Sequence, residues 1–391
     1  MARREVFGSL CSLVFLVNLG RVVFAPLLEP LRTAFGASGT TLGLLATLAW
    51  LGSALPRIPT GYLLTHVPRQ YVVLATGGVL TAAALFTAAA PSIPALMLGA
   101  FLMGMASGAY FIAANPLVTE LYPERVGRAL GIHGMASQLA AAGAPLLVTA
   151  ALLVGDWRTT FQGIAVVAAL ATAGFVLASR QTDLPNAGVH DRDLLGAVRQ
   201  QYPIVLAGVA ILGFAGFVWN GLFNFYVTYL TTTKAVSGTM ARNLLTVVFA
   251  AGVPAFFVSG HLADRLPLVS YLFAVLVGFG GAVLLVTVSS GLVTLALVSA
   301  LLGYVVHSLF PAVDTLLLGS LPDRHRASAY AAYSGSMMIV QATGSSAVGA
   351  LTDAGLAFDF VFRALVAALF CLVAVLVVVH RLGRFPTGAR A

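Results

Sequence analysis

The apolar residues of this chain come in runs, not stripes. Leu10–Leu28, Leu42–Leu64, Tyr71–Ala90, Ile93–Val118 and Ala140–Val154 approach or reach the ~20 residues that carry a helix across a hydrocarbon core, and Leu365–Val379 lies in the last run. Polar residues gather between the runs, so the pattern predicts twelve helical spans. They cover about 7–29, 40–64, 71–90, 94–119, 129–154, 159–178, 204–230, 240–263, 269–288, 292–319, 327–352 and 358–380. Strict apolar–polar alternation is absent, which argues against a β-barrel. The longest polar connection, Arg180–Gln201, falls between the sixth and seventh spans. It predicts two bundles, residues 1–180 and 202–391, joined by a cytoplasmic linker over 181–201.

Composition sharpens this picture. Hydrophobic residues make up 59% of the 391 and charged residues only 9%, against about 25% charged in soluble domains. The charged residues are too few to clothe a soluble protein of this size. The first span is too long for a signal-peptide core, no small-residue cleavage site follows it, and it reads as a retained helix. Basic residues are unevenly placed. One set of loops carries fourteen of the 21 (Arg3 and Arg4 through Arg180 and Arg192 to Arg390) and the other set carries five, with Arg21 and Arg57 inside spans. Both termini and the linker are therefore expected on the cytoplasmic side of the plasma membrane. The net charge of +8 reflects that topology and gives no case for nucleic-acid binding. Cys11 and Cys371 sit within spans as small packing residues. No spaced Cys/His cluster, phosphate-binding glycine loop or nucleophile motif is present, so neither a metal, a cofactor nor an enzymatic activity is expected.

The chain also repeats itself at an offset of 199. Ala37-Ser38-Gly39-Thr40 answers Val236-Ser237-Gly238-Thr239; Gly61-Tyr62-Leu63 answers Gly260-His261-Leu262; Pro123-Glu124-Arg125 answers Pro322-Asp323-Arg324. Parallel repeats of six helices imply two pseudo-symmetric bundles with a solute site near the midplane. Gly260-His261-Leu262-Ala263-Asp264-Arg265 resembles the G-x-L-A-D-R signature of the major facilitator superfamily. Arg21 followed by Pro26 resembles its first-helix R-x-x-x-x-P pattern, and Asp156-Trp157-Arg158-Thr159-Thr160-Phe161 its W-R-x-x-F. In the first half the signature is eroded, with Thr65 where an acid is expected. The helix 4 arginine and the fifth-helix glycine–proline signature of many proton-coupled antiporters are missing or degraded, at Ala100 and Ala144-Pro145. The resemblance implies an all-α polytopic transporter of twelve transmembrane helices.

Ionised side chains within a span need a partner or a task. Arg21 lies mid-span in helix 1 with Asn18 one turn earlier, and its repeat mate is Asn220 in helix 7, with Asn224 one turn later. Arg57 lies within Arg57-Ile58-Pro59-Thr60-Gly61, a stretch that resembles one in nitrate/nitrite porters, where the matching arginine binds the anion; that family's second arginine is replaced here by Phe256. Asn18, Arg21, Arg57, Tyr110, Asn115, Asn220, Asn224 and His307 are the candidate solute-binding residues. His307 and Asp314, two turns apart on helix 10 with Pro311 between, are candidates for proton coupling. Gly61, Gly260, Asp264 and Arg265 are candidates for gating, with the Asp264 carboxylate expected to meet a helix N-terminus. The expected function is secondary active transport of a small solute, an anion in the leading reading, by alternating access about a central site. A coupling proton or ion, the lipid bilayer and a monomeric state complete the expectation. Efflux of a hydrophobic or cationic compound and a non-transporting receptor on the same scaffold are the alternatives.

Overall fold

A computed structural model describes residues 2–64, 66–182, 194–263 and 265–385, and among them the regular structure is helical throughout. The first half contains α1 (Ala2–Val22), α2 (Phe24–Phe35), α3 (Gly39–Ala54), α4 (Arg57–Leu63), α5 (Arg69–Ala88), α6 (Ile93–Leu121), α7 (Val126–Val154) and α8 (Trp157–Arg180). The second contains α9 (Leu194–Gly208), α10 (Phe214–Thr232), α11 (Gly238–Ala263), α12 (Leu268–Val288), α13 (Leu292–Ser320), α14 (Asp323–Asp353) and α15 (Phe358–Arg381). Eleven spans among the described residues are long and apolar enough to cross a membrane. The twelfth expected span is α14, whose 31 residues have the length but carry Ser334, Ser336, Gln341, Thr343, Ser345 and Ser346. All-helical construction follows from the solvent: in hydrocarbon a helix satisfies its own backbone groups.

Three spans are interrupted, and each break has a local cause. Helix 1 runs as α1 and α2 with a turn at Val23, longer than the expected 7–29. Pro26 has no N–H to give the carbonyl of Val22, which loosens the ladder there. Helix 2 breaks at Leu55–Pro56, because Pro56 cannot donate to Gly52. Helix 7 begins at Leu194, kinks at Gln201 (φ −109°, ψ 15°) and widens into a π-helical turn over Val209–Gly213. Residues 194–201, expected as linker, are thus the first turns of this helix.

The chain divides into two compact units. One comprises Met1–Ala37 with Leu44–Asp191; the other comprises Ser38–Gly43 with Arg192–Ala391. Within the first, α5 packs on α6 and α8, and α1 packs on α6, α7 and α8. Within the second, α11 packs on α13 and α10 on α14. The first turn of α3 goes with the second unit because Asp353, at the end of α14, accepts from the Gly39 and Thr40 amides at 2.9 and 2.7 Å. Gly43 and Gly349 make this meeting backbone-to-backbone: a Cβ on Gly43 would strike the Ser345 carbonyl, and one on Gly349 the Gly39 carbonyl.

Glycine contact also fixes the core of each unit. A Cβ on Gly104 of α6 would collide with the Ala49 carbonyl of α3, and one on Gly108 with the Ser53 carbonyl. In the second unit, a Cβ on Gly303 of α13 would collide with the Val248 carbonyl of α11. Gly104 and Ala49, displaced by 199, are Gly303 and Val248, so the repeat read in the sequence recurs as the same backbone contact inside each unit. Small residues at such crossings let helices approach where lipid gives them no hydrophobic reason to associate. Gly104→Leu should therefore lower the detergent-solubilised protein's stability by about 1–3 kcal/mol through overpacking. Gly61→Leu, at a glycine with open space around it, should leave it unchanged. Thermal unfolding of the two variants checks the contrast.

Candidate functional site

Arg21 is the best-defined candidate. It sits at the last turn of α1, one residue short of the break, so its backbone is fixed on one side only by regular helix. Three groups of the first unit hold its side chain. Nη2 donates to Asn18 Oδ1 at 2.6 Å, one turn earlier on the same helix. Asn18 is itself held, its Nδ2 donating to the Ser137 carbonyl of α7 at 2.7 Å, so its oxygen is aimed at the guanidinium. From α3, the Trp50 ring lies 4.2 Å from Arg21 Cζ, a cation–π contact, and Ser53 Oγ accepts from Nη1 at 3.4 Å. Trp50 and Ser53 are three residues apart, so one face of α3 presents both. Arg21 Nε is buried without a partner.

Among the described residues no carboxylate pairs with this cation. The described acids of the first unit are Glu5, Glu29, Glu120, Glu124 and Asp156. Glu29 pairs with Arg32, Glu120 with Arg69 and Asp156 with Arg158, while Glu5 and Glu124 are exposed near helix ends. Arg57, at the start of α4, donates from Nε to the Ser53 carbonyl at 3.2 Å. Two arginines thus meet the same buried serine, one at its hydroxyl and one at its carbonyl.

In the second unit Asn220 and Asn224 lie on α10, beyond the π-helical turn. Ser345 of α14 donates to Asn220 Oδ1 at 2.6 Å, and Asn224 Nδ2 reaches the same oxygen at 3.0 Å. Asn220 Nδ2 is buried and unpartnered. Among the described residues, the repeat mates Arg21 and Asn220 therefore each have one buried donor without an acceptor. His307 is boxed by Trp219, Phe249, Phe256 and Phe310, with ring centroids 5.6–6.2 Å away, and its Nδ1 pairs with the Gly303 carbonyl at 2.7 Å. Asp314 instead accepts from the Tyr330 hydroxyl of α14 at 3.0 Å. The two proton-coupling candidates share a helix but have separate partners.

Other expectations are altered. Tyr110, expected against solute, is wholly buried; its hydroxyl donates to the Leu10 carbonyl at 2.6 Å and lies 3.1 Å from His133 Nε2. These partners leave it a helix-bridging role. Asn115 is exposed on α6. Gly61 lies in α4 and Gly260 in α11, Arg265 is exposed just beyond α11, and Asp264 is outside the described residues. Among the described residues there is no cluster of acids, histidines and cysteines able to hold a metal ion. Sequence reasoning missed Trp50, Ser53 and His133. For the first two the signal was present, since they precede Arg57 by seven and four residues and so share its helical face. Asn18→Leu should leave the Ser137 carbonyl and the guanidinium without their partner and destabilise the fold by roughly 1–3 kcal/mol. A lowered unfolding midpoint in detergent checks it.

The wider comparisons agree with this architecture. The sequence profile of the Major Facilitator Superfamily matches residues 10–232 and 208–390. Purine ribonucleoside efflux pumps named NepI from Salmonella paratyphi B and Salmonella typhimurium are 26% identical over 236 residues, which is 60% of this chain. The match spans 57% of the length of those relatives. Among solved structures, a bacterial homologue of the human lysosomal transporter Spinster, inward-facing and unoccupied, superposes with a TM-score of 0.76 at 17% identity, covering 100% of this chain and 99% of the other. A POT family transporter in complex with a thioalcohol-conjugated peptide gives 0.78 at 12% identity, covering 96% of each chain. At those identities the likeness is one of fold. With the family profile matching nearly the whole length in two overlapping stretches, the chain belongs to the Major Facilitator Superfamily.

Proposed function

We propose that this major facilitator superfamily transporter is a secondary carrier of a small anionic solute, worked by alternating access, with Arg21 as the group that binds the anion. The single observation that carries the reading is the half-buried Arg21 guanidinium, which has no carboxylate among the described residues and whose buried Nε is left unpartnered. A cation in a low-dielectric setting is expensive to leave uncompensated. A solute carboxylate or phosphoryl oxygen would complete its shell, while Asn18, Trp50 and Ser53 keep the fork oriented before the solute arrives. The NepI likeness supports a second reading, a neutral nucleoside-like solute, favoured by the Trp50 ring beside Arg21.

Arg21→Ala should abolish binding of the solute, and Arg21→Lys should weaken it roughly tenfold, because lysine cannot reproduce the planar fork. A thermal-shift screen of purified wild type against anions and neutral nucleosides identifies the ligand class, and the same screen on the variants checks the role. Normal anion binding by Arg21→Ala would sink the reading. Stabilisation by nucleosides alone would favour the alternative.

Asp314 is the proposed site of proton coupling. Its described partner is a tyrosine hydroxyl rather than a base, so protonation would not break an ion pair. In proteoliposomes Asp314→Asn should lose accumulation driven by a pH gradient while keeping solute exchange at equal pH. Gradient-driven accumulation that persists in this variant would rule the assignment out.

A further inference from the structure

The arrangement around Ser53 says more about the anion than that it is negative. Ser53 is fully buried on α3, two residues before the break at Leu55–Pro56. Arg21 reaches its hydroxyl from α1, and Arg57 reaches its carbonyl from the far side of the break. Two guanidiniums are thereby brought to one residue, although like charges in a medium of low dielectric repel one another. The break is what permits this. Had α3 continued as regular helix, the Ser53 carbonyl would have bonded to the amide four residues on, that of Arg57 itself. Instead it takes the Arg57 side chain, and α3 is held in register by backbone contact with Gly104 and Gly108 of α6.

Two nearby cations with one serine between them match an anion carrying two charges better than one carrying a single charge. We infer that Arg21 and Arg57 together form a site for a dianionic oxyanion, of the phosphate-monoester class, in which each guanidinium takes a separate pair of oxygens. Phosphoryl groups carry three acceptor oxygens and nearly two charges at neutral pH, and arginine forks match their geometry. The inference rests on the reading of Arg21 as the anion-binding group and adds to it the second cation and the charge state of the cargo.

The other titratable groups on the helices packed around α1 do not alter this balance. Tyr110 on α6 and His133 on α7 are hydrogen-bonded to each other, Cys11 is on α1 itself, and Arg69 of α5 is paired with Glu120. On α8, Arg158 is paired with Asp156 at one end and Arg180 lies at the other.

Calorimetric titration of the purified full-length protein with phenyl phosphate and with methyl phenyl phosphate tests the inference. The two probes share ring and phosphoryl group and differ by one charge. Phenyl phosphate should bind at least roughly tenfold more tightly at pH 7.5. That preference should vanish at pH 5, below its second ionisation near pH 6. Methyl phenyl phosphate does not titrate in this range and reports any ionisation of the protein. Arg57→Gln should bring the two probes to equal affinity without losing the diester, Arg57→Lys should give an intermediate preference, and Arg21→Gln should bind neither. Equal affinities in the wild type, or a preference untouched in Arg57→Gln, would overturn the dianion inference while leaving Arg21 as the anion group. Binding of adenosine with neither phosphoryl probe bound at millimolar concentration would overturn both.

Discussion

Inside a bilayer, apolar side chains gain nothing by leaving lipid for one another, so helices must find another reason to stay together. In this chain the reason is close backbone approach at glycine. Gly104 and Gly108 press α6 onto the carbonyl side of α3, and Gly303 does the same for α13 on α11. These contacts are short-ranged and rigid, and they decide where polar groups can be held. Trp50 and Ser53 belong to the turn of α3 that Gly104 and Gly108 approach, so the groups that orient Arg21 sit where α3 is held backbone-to-backbone against α6. Cohesion and site geometry are one problem here, solved by the same few residues.

Several of the polar candidates lie where their own helix is least regular. Arg21 precedes a break in helix 1, Arg57 follows a break in helix 2, and Asn220 lies beyond the π-helical turn of helix 7. Interrupted helices leave backbone groups and side chains pointing where a continuous helix would not, and such discontinuities recur where membrane helices line a solute path. Pro26 and Pro56 thus act as positioning residues as much as helix breakers.

How much of this could be read from sequence depended on whether the signal was local. The spans were legible because apolar runs bounded by arginines are a one-dimensional property, and the 199-residue repeat was legible because register persists even when identity fades. Arg21 stood out because an ionised side chain in hydrocarbon is anomalous wherever it packs. Its surroundings did not stand out. Trp50 and Ser53 are unremarkable on a membrane helix, and only the crossing of α1 with α3 gives them a role. The partners of Tyr110 were hidden for a related reason: a tyrosine at mid-depth can face solute or a neighbouring carbonyl, and Leu10 and His133 lie on other helices. Span ends were misplaced where α2 and α9 extend past the apolar runs, since a helix can continue into polar surroundings that no longer look like membrane.

The division of α3 has a consequence for anyone dissecting the protein. A cut in the linker would appear to separate the gene into two independent halves, yet the hexapeptide Ser38–Gly43 would remain with the N-terminal fragment while its partners Asp353, Gly349 and Ser345 departed with the other. The N-terminal fragment would then carry a helix whose opening amides have lost their acceptor, and the C-terminal fragment an Asp353 carboxylate without the amides it accepts from. Split-protein reconstitution of this carrier is thus better designed as complementation between fragments produced together than as assembly of two finished domains.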